Sequence, residues 1–328
     1  MQVLVHGGAG SPPSEPDDRQ GALETAADRA SDQSRPLAAV RDAVATLEAD
    51  PRFNAGVGGA VQSDGVVRTD AGVMTGDGRV GAAAAMEGVC HAVDVARAVA
   101  TETPHVLLAG DRAVAFAEAM GVDTDVDLWT DRTRERWADA DPPTATDDHL
   151  AWVRERFGGG VAGDVAEGSD SGGSVTGGAT DDGGDGRASD GGDGRGSAGA
   201  DASPRDHDTV GAVARDGDAV AAATSTGGRW CALAGRVGDV PQVGAGFYAS
   251  PAGGASATGA GEDIARAGLA RRAVTLLEQG ADAPAAARRA IAEFGDRADG
   301  TAGVVVLDAD GRAGEAYDSP AMQTARRV

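Results

Sequence analysis

The chain has 328 residues, and its 29 basic and 52 acidic side chains leave a formal net charge of −23. Every basic residue is an arginine, because the sequence contains no lysine. The absence of lysine excludes mechanisms that need a Schiff-base lysine, a pyridoxal-phosphate lysine or a P-loop lysine. The negative charge argues against nucleic acid and anionic membranes as partners. It also indicates a halophilic protein, although a GC-rich genome alone would favour Arg, Ala, Gly and Asp.

The amino end and the cysteine and histidine spacings set further expectations. Residues 1–6 lack the charged and apolar regions of a signal peptide, and no apolar run approaches the ~20 residues of a membrane span. We therefore expect a cytoplasmic protein. Cys90 and Cys231 lie far apart, and the five histidines show no metal-ligand spacing. We expect neither a disulfide framework nor a transition-metal site.

The elements predicted first along the chain alternate between strands and helices. A strand at Val3–Val5 runs into a glycine-rich turn over 6–10. In the second predicted helix, Leu37, Val40, Val44 and Leu47 recur at spacings of three and four. In chain order we predict helices at about 18–30 and 35–49, a loop at 53–59, strands at 65–73 and 79–86, a helix at 92–101, a strand at 105–108, and helices at 110–120 and 146–157.

The composition changes abruptly between Gly158 and Asp208, where Gly, Asp, Ser and Ala dominate. From residue 176 to 208 there is no Leu, Ile, Val, Phe, Met, Trp or Tyr. Such a segment cannot bury enough apolar area to offset its ordering entropy. We therefore predict a disordered linker over 158–208, which divides the chain into an amino part, 1–157, and a carboxyl part, 209–328.

The carboxyl part begins at once with a predicted hairpin. Strands at 209–214 and 219–226 flank a turn at 216–218 that has suitable turn residues. Strands at 242–249 and 252–258, helices at 262–279 and 284–295, and a last hairpin around 308–311 follow. Strand pairs flanked by helix pairs in both parts predict a layered sheet sandwich covered by helices.

Thr209 is the first residue after the predicted linker. It is compatible with a chain that is cut before it, since a new α-amine has a pKa of about 7.7–8 and can act as a base toward its own hydroxyl. Threonine is also a common strand residue, so the junction alone leaves the ordinary structural interpretation open.

Two further segments carry groups suited to an amino acid substrate. Arg236 offers a planar fork for a carboxylate, and Asp239 can accept hydrogen bonds from an ammonium group. The two could hold the charged ends of an α-amino acid, or they could form a surface ion pair. Residues 256–261 could present backbone N–H groups to an oxyanion, or they could be an ordinary helix cap.

Taken together and in order, the motifs resemble the plant-type asparaginase and isoaspartyl peptidase family, with glycosylasparaginase as a sister group. The resemblance covers all of the chain except the linker. It implies an α/β fold, the four-layer αββα sandwich of N-terminal nucleophile hydrolases, assembled as a dimer of αβ heterodimers and without an organic cofactor. The motifs are HGGAG (6–10), FNAGVG (53–58), DTVGAV (208–213), TSTGG (224–228), GRVGD (235–239), VGAGFYA (243–249) and TGAGE (258–262).

The resemblance also implies residue roles. Thr209 would be the nucleophile, freed by self-cleavage of the Asp208–Thr209 bond. The remaining site residues would be Thr226, which hydrogen-bonds the nucleophile; Arg236 and Asp239, which bind the substrate α-carboxylate and α-ammonium; Gly261 in the adjoining turn; Thr258 and Gly259 in the oxyanion hole; and Asn54 in a nearby loop. A structural sodium ion would be held by the backbone of Leu47, Glu48, Asp50, Phe53, Ala55 and Val57.

Two residues depart from the family pattern. Ala260 stands where family members often have threonine, and Asp208 after His207 looks more like glycosylasparaginase than like isoaspartyl peptidases, which often have glycine there.

The implied function is a self-processing amidohydrolase that acts on L-asparagine, on β-aspartyl dipeptides, or on both, through a β-aspartyl-threonine ester. The alternatives are glycosylasparaginase activity and an uncleaved binding protein of the same fold. A nucleotide site is weaker, because 6–10 fits neither GxGxxG nor a P-loop.

Overall fold

The computed structural model describes residues 1–158 and 209–328. Strands and helices alternate through most of these residues. The predicted linker lies outside the described residues, apart from Gly158. The strands are β1 (Gln2–Gly10), β2 (Arg68–Thr75), β3 (Val80–Glu87), β4 (Leu107–Ala109), β5 (Val210–Asp216), β6 (Ala219–Thr226), β7 (Phe247–Ser250), β8 (Gly253–Gly259), β9 (Ala302–Asp308), β10 (Ala313–Tyr317) and β11 (Ala321–Arg327). The helices are α1 (Pro16–Ser31), α2 (Pro36–Glu48), α3 (Ala92–Glu102), α4 (Gly110–Ala119), α5 (Asp131–Ala140), α6 (His149–Phe157), α7 (Gly261–Ala267), α8 (Leu269–Glu278) and α9 (Ala283–Gly295).

The described strands form two sheets. One has seven strands in the order β11-β1-β5-β6-β2-β3-β4, and the other has four in the order β10-β9-β8-β7. Neighbouring strands are antiparallel except for the parallel pair β3–β4. The seven-stranded sheet takes β1–β4 from the amino part and β5, β6 and β11 from the carboxyl part. The two parts of the chain therefore build one mixed α/β structure.

Alternating side chains on the strands bury both faces of the seven-stranded sheet. Val5 and Ala212 lie on the face that packs against α1, α2 and α3. Leu4 and Val213 lie on the other face, where they meet Phe247 of the four-stranded sheet. The far side of the four-stranded sheet packs against α8 and α9. A core between two sheets and a helical cover on each outer face follow from this alternation.

Most predicted elements are present, but the turn predicted over residues 6–10 is wrong. Residues 6–10 continue β1 instead of ending it, and the ladder between β1 and β11 shifts its register between His6 and Ala9. Gly8 accommodates this bulge with φ of +108°. The glycines that suggested a turn serve a strand that bends at this point.

Three other assignments also need correction. The helix predicted over 262–279 is two helices, α7 and α8, because Gly268 between them is left-handed with φ of +62°. The strand expected at 242–249 begins only at Phe247. Sequence patterns missed α5 and β11, because both are largely polar and lack an apolar stripe or an apolar alternation. No helix in the described ranges is long and apolar enough to cross a membrane.

Candidate active site

The predicted site residues gather at one edge of the seven-stranded sheet. Thr209 precedes β5, and Thr226 ends the antiparallel neighbour β6. The tight turn between these strands brings the two threonines together although they are 17 residues apart. Asn54 lies in the loop that packs against the end of β6. All three residues are buried where these strands end.

A hydrogen bond joins the hydroxyl groups of the two threonines. Oγ1 of Thr209 donates to Oγ1 of Thr226 at 3.3 Å, and the side chains are 7% and 4% exposed. The backbone N–H of Gly228 donates to the same Thr226 oxygen at 3.1 Å. The Thr226 oxygen is therefore fixed as an acceptor, and the Thr209 hydroxyl proton points toward it. A hydroxyl held in this way has its oxygen fixed in position for attack once a base removes the proton.

Asn54 fixes the backbone that follows Thr226. Its Nδ2 donates to the carbonyl of Gly228 at 2.7 Å, and its Oδ1 accepts from the N–H of Ala60 at 2.7 Å. Its own carbonyl accepts from the N–H of Gly227 at 2.9 Å. Because backbone groups engage both ends of the amide, Asn54 in this structure orders the loop and the 227–228 segment.

Arg236 and Asp239 lie beside the first residue of α7. A Cβ at Gly261 would lie 2.7 Å from Nη2 of Arg236 and 2.8 Å from Oδ1 of Asp239, so only glycine leaves both groups undisturbed. Asp239 is 5% exposed, and the side chain of Arg236 is 16% exposed. The two residues therefore do not form a surface ion pair. Oδ2 of Asp239 is buried and has no hydrogen-bond partner among the described residues, so it is available to a cationic group.

The ion-pair partner of Arg236 is Glu262, which the motif analysis did not single out as a site residue. Nε of Arg236 donates to Oε1 of Glu262 at 2.8 Å, and the other Glu262 oxygen lies 3.8 Å from Nη1 of Arg229. Burial alone would raise the pKa of Glu262, but the hydrogen bond and charge of Arg236 lower it to about 2. Burial raises the pKa of Asp239 to about 7, although the Arg236 charge opposes this. Glu262 thus stays ionised, whereas Asp239 can change its charge near neutral pH.

A second carboxyl group that sequence reasoning missed faces this site from β2. Asp70 is 2% exposed and pairs with Thr226 in the ladder between β2 and β6. Burial raises its pKa to about 7, and the N–H of Ala85 and the charge of Arg236 oppose the rise. The available signal was an aspartate inside the otherwise buried strand of residues 68–75, because an acid is rarely buried there without a purpose.

Thr258 and Gly259 end β8, in the sheet that lies over β5. A Cβ at Gly254 of β8 would lie 2.8 Å from Val213 of β5. A Cβ at Gly211, nearer the start of β5, would meet Oγ of Ser256, so Thr258 lies toward the Thr209 end of β5. The N–H of Ala9 donates to Oγ1 of Thr258 at 3.3 Å, which orients the hydroxyl group. Gly259 has φ of +135°, and a Cβ there would lie 2.6 Å from the Cα of Ala302. The segment then leads into α7.

A polar network lies between the sheets beneath Thr209. Nε2 of His6 is 2.7 Å from Oγ of Ser256, which is 2.6 Å from Oγ1 of Thr224. Thr224 in turn donates to the carbonyl of Gly246 at 2.8 Å. His6 is fully buried, and desolvation lowers its pKa to about 3. The imidazole is therefore neutral at ordinary pH and serves as a hydrogen-bonding spacer between the two sheets.

The loop predicted to hold sodium is tightly folded. The Glu48 carbonyl accepts from the N–H of Val57 at 2.9 Å, and the Asp50 carbonyl accepts from the N–H of Phe53 at 3.1 Å. Gly56 is left-handed with φ of +61°. Among the described residues, no group of three or more His, Cys, Asp or Glu side chains is arranged to hold a metal ion. Oxygen ligands for an alkali cation would therefore come from the backbone.

Comparison with known proteins identifies the class. The family described as asparaginase matches residues 1–328. The plant-type L-asparaginase of Pyrococcus abyssi is 34% identical over 99% of this chain and 95% of its own length. The plant-type L-asparaginase of Pyrobaculum calidifontis is 36% identical over 98% and 94%. The isoaspartyl peptidase/L-asparaginase of Danio rerio is 34% identical over 94% and 86%. The chain belongs to the asparaginase family and is a hydrolase.

Proposed function

We propose that the protein is a self-processing amidohydrolase that cleaves the side-chain amide of L-asparagine and the isopeptide bond of β-aspartyl dipeptides. The observation that carries this proposal is the convergence of Arg236 and Asp239 on Gly261, with one buried Asp239 oxygen that no described residue pairs. A guanidinium fork and a carboxylate at that spot suit the α-carboxylate and α-ammonium of an aspartyl group. The names of the relatives, L-asparaginase and isoaspartyl peptidase, agree with this substrate class.

We propose that the fold is the four-layer αββα sandwich of N-terminal nucleophile hydrolases. The apolar core between the two sheets and the helices on both outer faces support this assignment. Such a fold holds its nucleophile at the start of a central strand, which here is β5. Thr209 precedes β5 and would be the first residue of the second chain.

Processing would convert one chain into two. Thr209 Oγ attacks the Asp208 carbonyl carbon, the peptide C–N bond breaks as the ester forms, and the proton passes to the new amine. Water then hydrolyses the ester, which gives one chain ending at Asp208 and one beginning at Thr209. The two products stay together because β5 lies between β1 and β6, and β6 pairs with β2. We propose a dimer of such αβ heterodimers as the assembly.

In turnover, the freed amine of Thr209 takes the proton of the Thr209 hydroxyl. The oxygen attacks the side-chain carbonyl of the substrate, and Thr258 and Gly259 stabilise the oxyanion. The amine proton passes to the leaving group, which departs as ammonia or as an amino acid. Water then cleaves the β-aspartyl ester and restores the threonine. Because Arg236 and Asp239 hold only the aspartyl α-groups, the leaving group can vary.

Asn54 and a sodium ion would support this site from the loop at 47–57. The backbone oxygens of Leu47, Glu48, Asp50, Phe53, Ala55 and Val57 would hold the ion, which suits a hard cation without carboxylate ligands. The ion would supply rigidity to the loop that carries Asn54. Comparing the melting temperature in sodium and in N-methylglucamine salts of equal ionic strength tests this. Equal melting temperatures would contradict it.

Two experiments test the proposed function against its alternatives. On a denaturing gel, two fragments support the processed enzyme, whereas a persistent single band of 32.5 kDa supports the uncleaved binding protein. Rates with asparagine, β-aspartyl-leucine and a glycosylated asparagine separate the proposed activity from a glycosylasparaginase. The Asp208–Thr209 junction is the feature that favours a glycosylasparaginase. A glycosylasparaginase would turn over only the glycosylated asparagine efficiently.

The remaining proposals concern the linker and the salt environment. Deleting residues within 165–200 should leave folding and activity nearly unchanged, because the composition of 158–208 does not supply a core. A cytoplasm of high ionic strength would screen the self-repulsion of a net charge of −23. Activity and melting temperature in a potassium chloride series would measure this effect.

A further inference from the structure

The carboxyl group of Asp70 lies beside the threonine pair, and none of the steps above uses it. Asp70 of β2 and Thr226 of β6 are direct partners in the sheet. Directly paired residues project from the same face, with Cβ atoms about 4.5–5.5 Å apart. Thr226 also contacts Thr209 on this face. Asp70, Thr226 and Thr209 therefore form a row across three neighbouring strands.

The backbone around Asp70 holds its carboxyl group in place. The ladder between β2 and β3 shifts its register between Thr69 and Ala71, so a bulge on β3 faces Asp70. In that bulge Ala85 has φ of +54°, and its N–H donates to Oδ1 of Asp70 at 2.7 Å. Left-handed alanine and a register shift are both locally unfavourable, and such features occur where a side chain must be aimed.

The hydroxyl group of Thr226 needs a better acceptor than its present one. Its oxygen accepts from Thr209 and from the N–H of Gly228. Its own proton goes to the Asn54 carbonyl at 3.4 Å, an oxygen that already accepts from Gly227 at 2.9 Å. A long bond to a shared acceptor orients the proton weakly. The carboxylate of Asp70, on the paired residue of β2, would be a stronger acceptor.

We propose that Asp70 is a positioning residue that acts on the nucleophile through Thr226. Its carboxylate receives the Thr226 hydroxyl proton in a hydrogen bond, directly or through one water molecule. The hydrogen bond between the Thr226 and Thr209 hydroxyl groups then becomes stronger, because successive hydrogen bonds polarise one another, and it holds the Thr209 oxygen in place until the freed amine takes its proton. The proposal rests on the proposed function, and it needs no co-reactant and no change in covalent bonds.

The ionisation of Asp70 should determine how kcat depends on pH. Burial raises the pKa of Asp70 to about 7, and the charged groups that face it are Arg236 and Asp239. The amine of processed Thr209 titrates in the same range. Because the ionised Asp70 is the acting form, kcat falls as pH drops through about 7. The kcat profile reports the substrate complex, in which the substrate ammonium already pairs with Asp239.

The variant Asp70→Asn tests this with asparagine as substrate. It keeps the size of the side chain and the acceptor for Ala85 but removes the charge. We expect kcat to fall about tenfold or more, with KM within about threefold, since Arg236 and Asp239 are untouched. The decrease in kcat toward acidic pH should depend on one ionisation fewer near pH 7 than it does in wild type. Asp77→Asn, in the exposed turn after β2, is the matched control and should leave kcat, KM and the profile unchanged.

A kcat for Asp70→Asn within twofold of wild type, or an unaltered acid limb, would overturn the proposal. The double variant Asp70→Asn/Thr226→Ala should have the same kcat as Thr226→Ala alone. Losses in kcat that add in the double variant would also overturn the proposal. If Asp70→Asn does not fold, Thr226→Ala is measured by itself, and its kcat profile should lack the ionisation near pH 7. An ionisation near pH 7 that persists in Thr226→Ala counts against the proposal. The proposed function itself fails differently, through a wild type without hydrolysis or an active Thr209→Ala variant.

Discussion

Thr209 and Thr226 share a hydroxyl-to-hydroxyl hydrogen bond of 3.3 Å at the open end of the hairpin that β5 and β6 form. Both side chains are almost fully buried, and the N–H of Gly228 fixes the acceptor oxygen. The bond fixes the direction of the Thr209 hydroxyl group. It therefore makes Thr209 the position at which substitution should affect the chemistry most.

Replacing Thr209 with alanine should give a folded chain that is neither cleaved nor active, because the attacking oxygen is lost for both processing and turnover. Thr209→Ser should keep part of both activities, because the hydroxyl and amine remain while the methyl group that restricts the rotamer is lost. A denaturing gel and an ammonia-release assay measure the two effects. Thr25→Ala, exposed on α1, is the control. Cleavage or ammonia release by Thr209→Ala would show that the nucleophile lies elsewhere.

The variant Arg236→Lys should impair catalysis far more than folding. Lysine keeps the charge but loses the fork that can bind a carboxylate and Glu262 together. Loss of such a contact in a buried site costs on the order of 2–3 kcal/mol, a fall in kcat/KM of about thirtyfold to 150-fold. Steady-state kinetics and a melting curve measure both quantities. Unchanged kinetics would remove Arg236 from the site.

A methyl group added at Gly261 should weaken substrate binding without unfolding the protein. The Cβ would meet Nη2 of Arg236 at 2.7 Å and Oδ1 of Asp239 at 2.8 Å, and both groups must then move. We expect KM for asparagine to rise about tenfold or more, equivalent to at least ~1.4 kcal/mol.

The control for this variant is Gly268→Ala at the left-handed junction of α7 and α8, where there is room but φ is +62°. It should lower stability by about 1 kcal/mol and leave KM unchanged. If Gly261→Ala retained the wild-type KM, the substrate would not occupy the space between Arg236 and Asp239.

Asp239→Asn should abolish efficient turnover and yet stabilise the protein at alkaline pH. Burial raises the pKa of Asp239 to about 7, above its ordinary value of 3.8. The folded state therefore binds this proton more tightly than the unfolded state does, and the resulting stability is lost progressively as pH rises from about 3.8 to about 7.

Asparagine does not titrate, so the variant should gain on the order of 2–4 kcal/mol relative to wild type near pH 8.5 and little near pH 3.5, where Asp239 is mostly protonated in both states. Thermal melts of both proteins at the two pH values measure the difference. An equal change in melting temperature at both pH values would mean that Asp239 does not carry this ionisation.

The sequence alone was sufficient for the hairpin that pairs Thr209 with Thr226, because strand alternation and turn residues are local signals. The same holds for Arg236 and Asp239, which are three residues apart in a recognisable motif. Local patterns also identified α1, α2 and α3, whose apolar residues recur at helical spacing. They could not identify α5 or β11, where packing against the rest of the chain outweighs a weak polar pattern.

Only the tertiary structure decided which charges share the site. Asp70 comes from the amino part and Glu262 from the start of α7, and their common neighbour is Arg236. Strand register places Asp70 opposite Thr226, and register depends on long-range pairing that no local pattern reports. The raised pKa values of Asp70 and Asp239 arise from burial, which exists only once the two sheets have packed together.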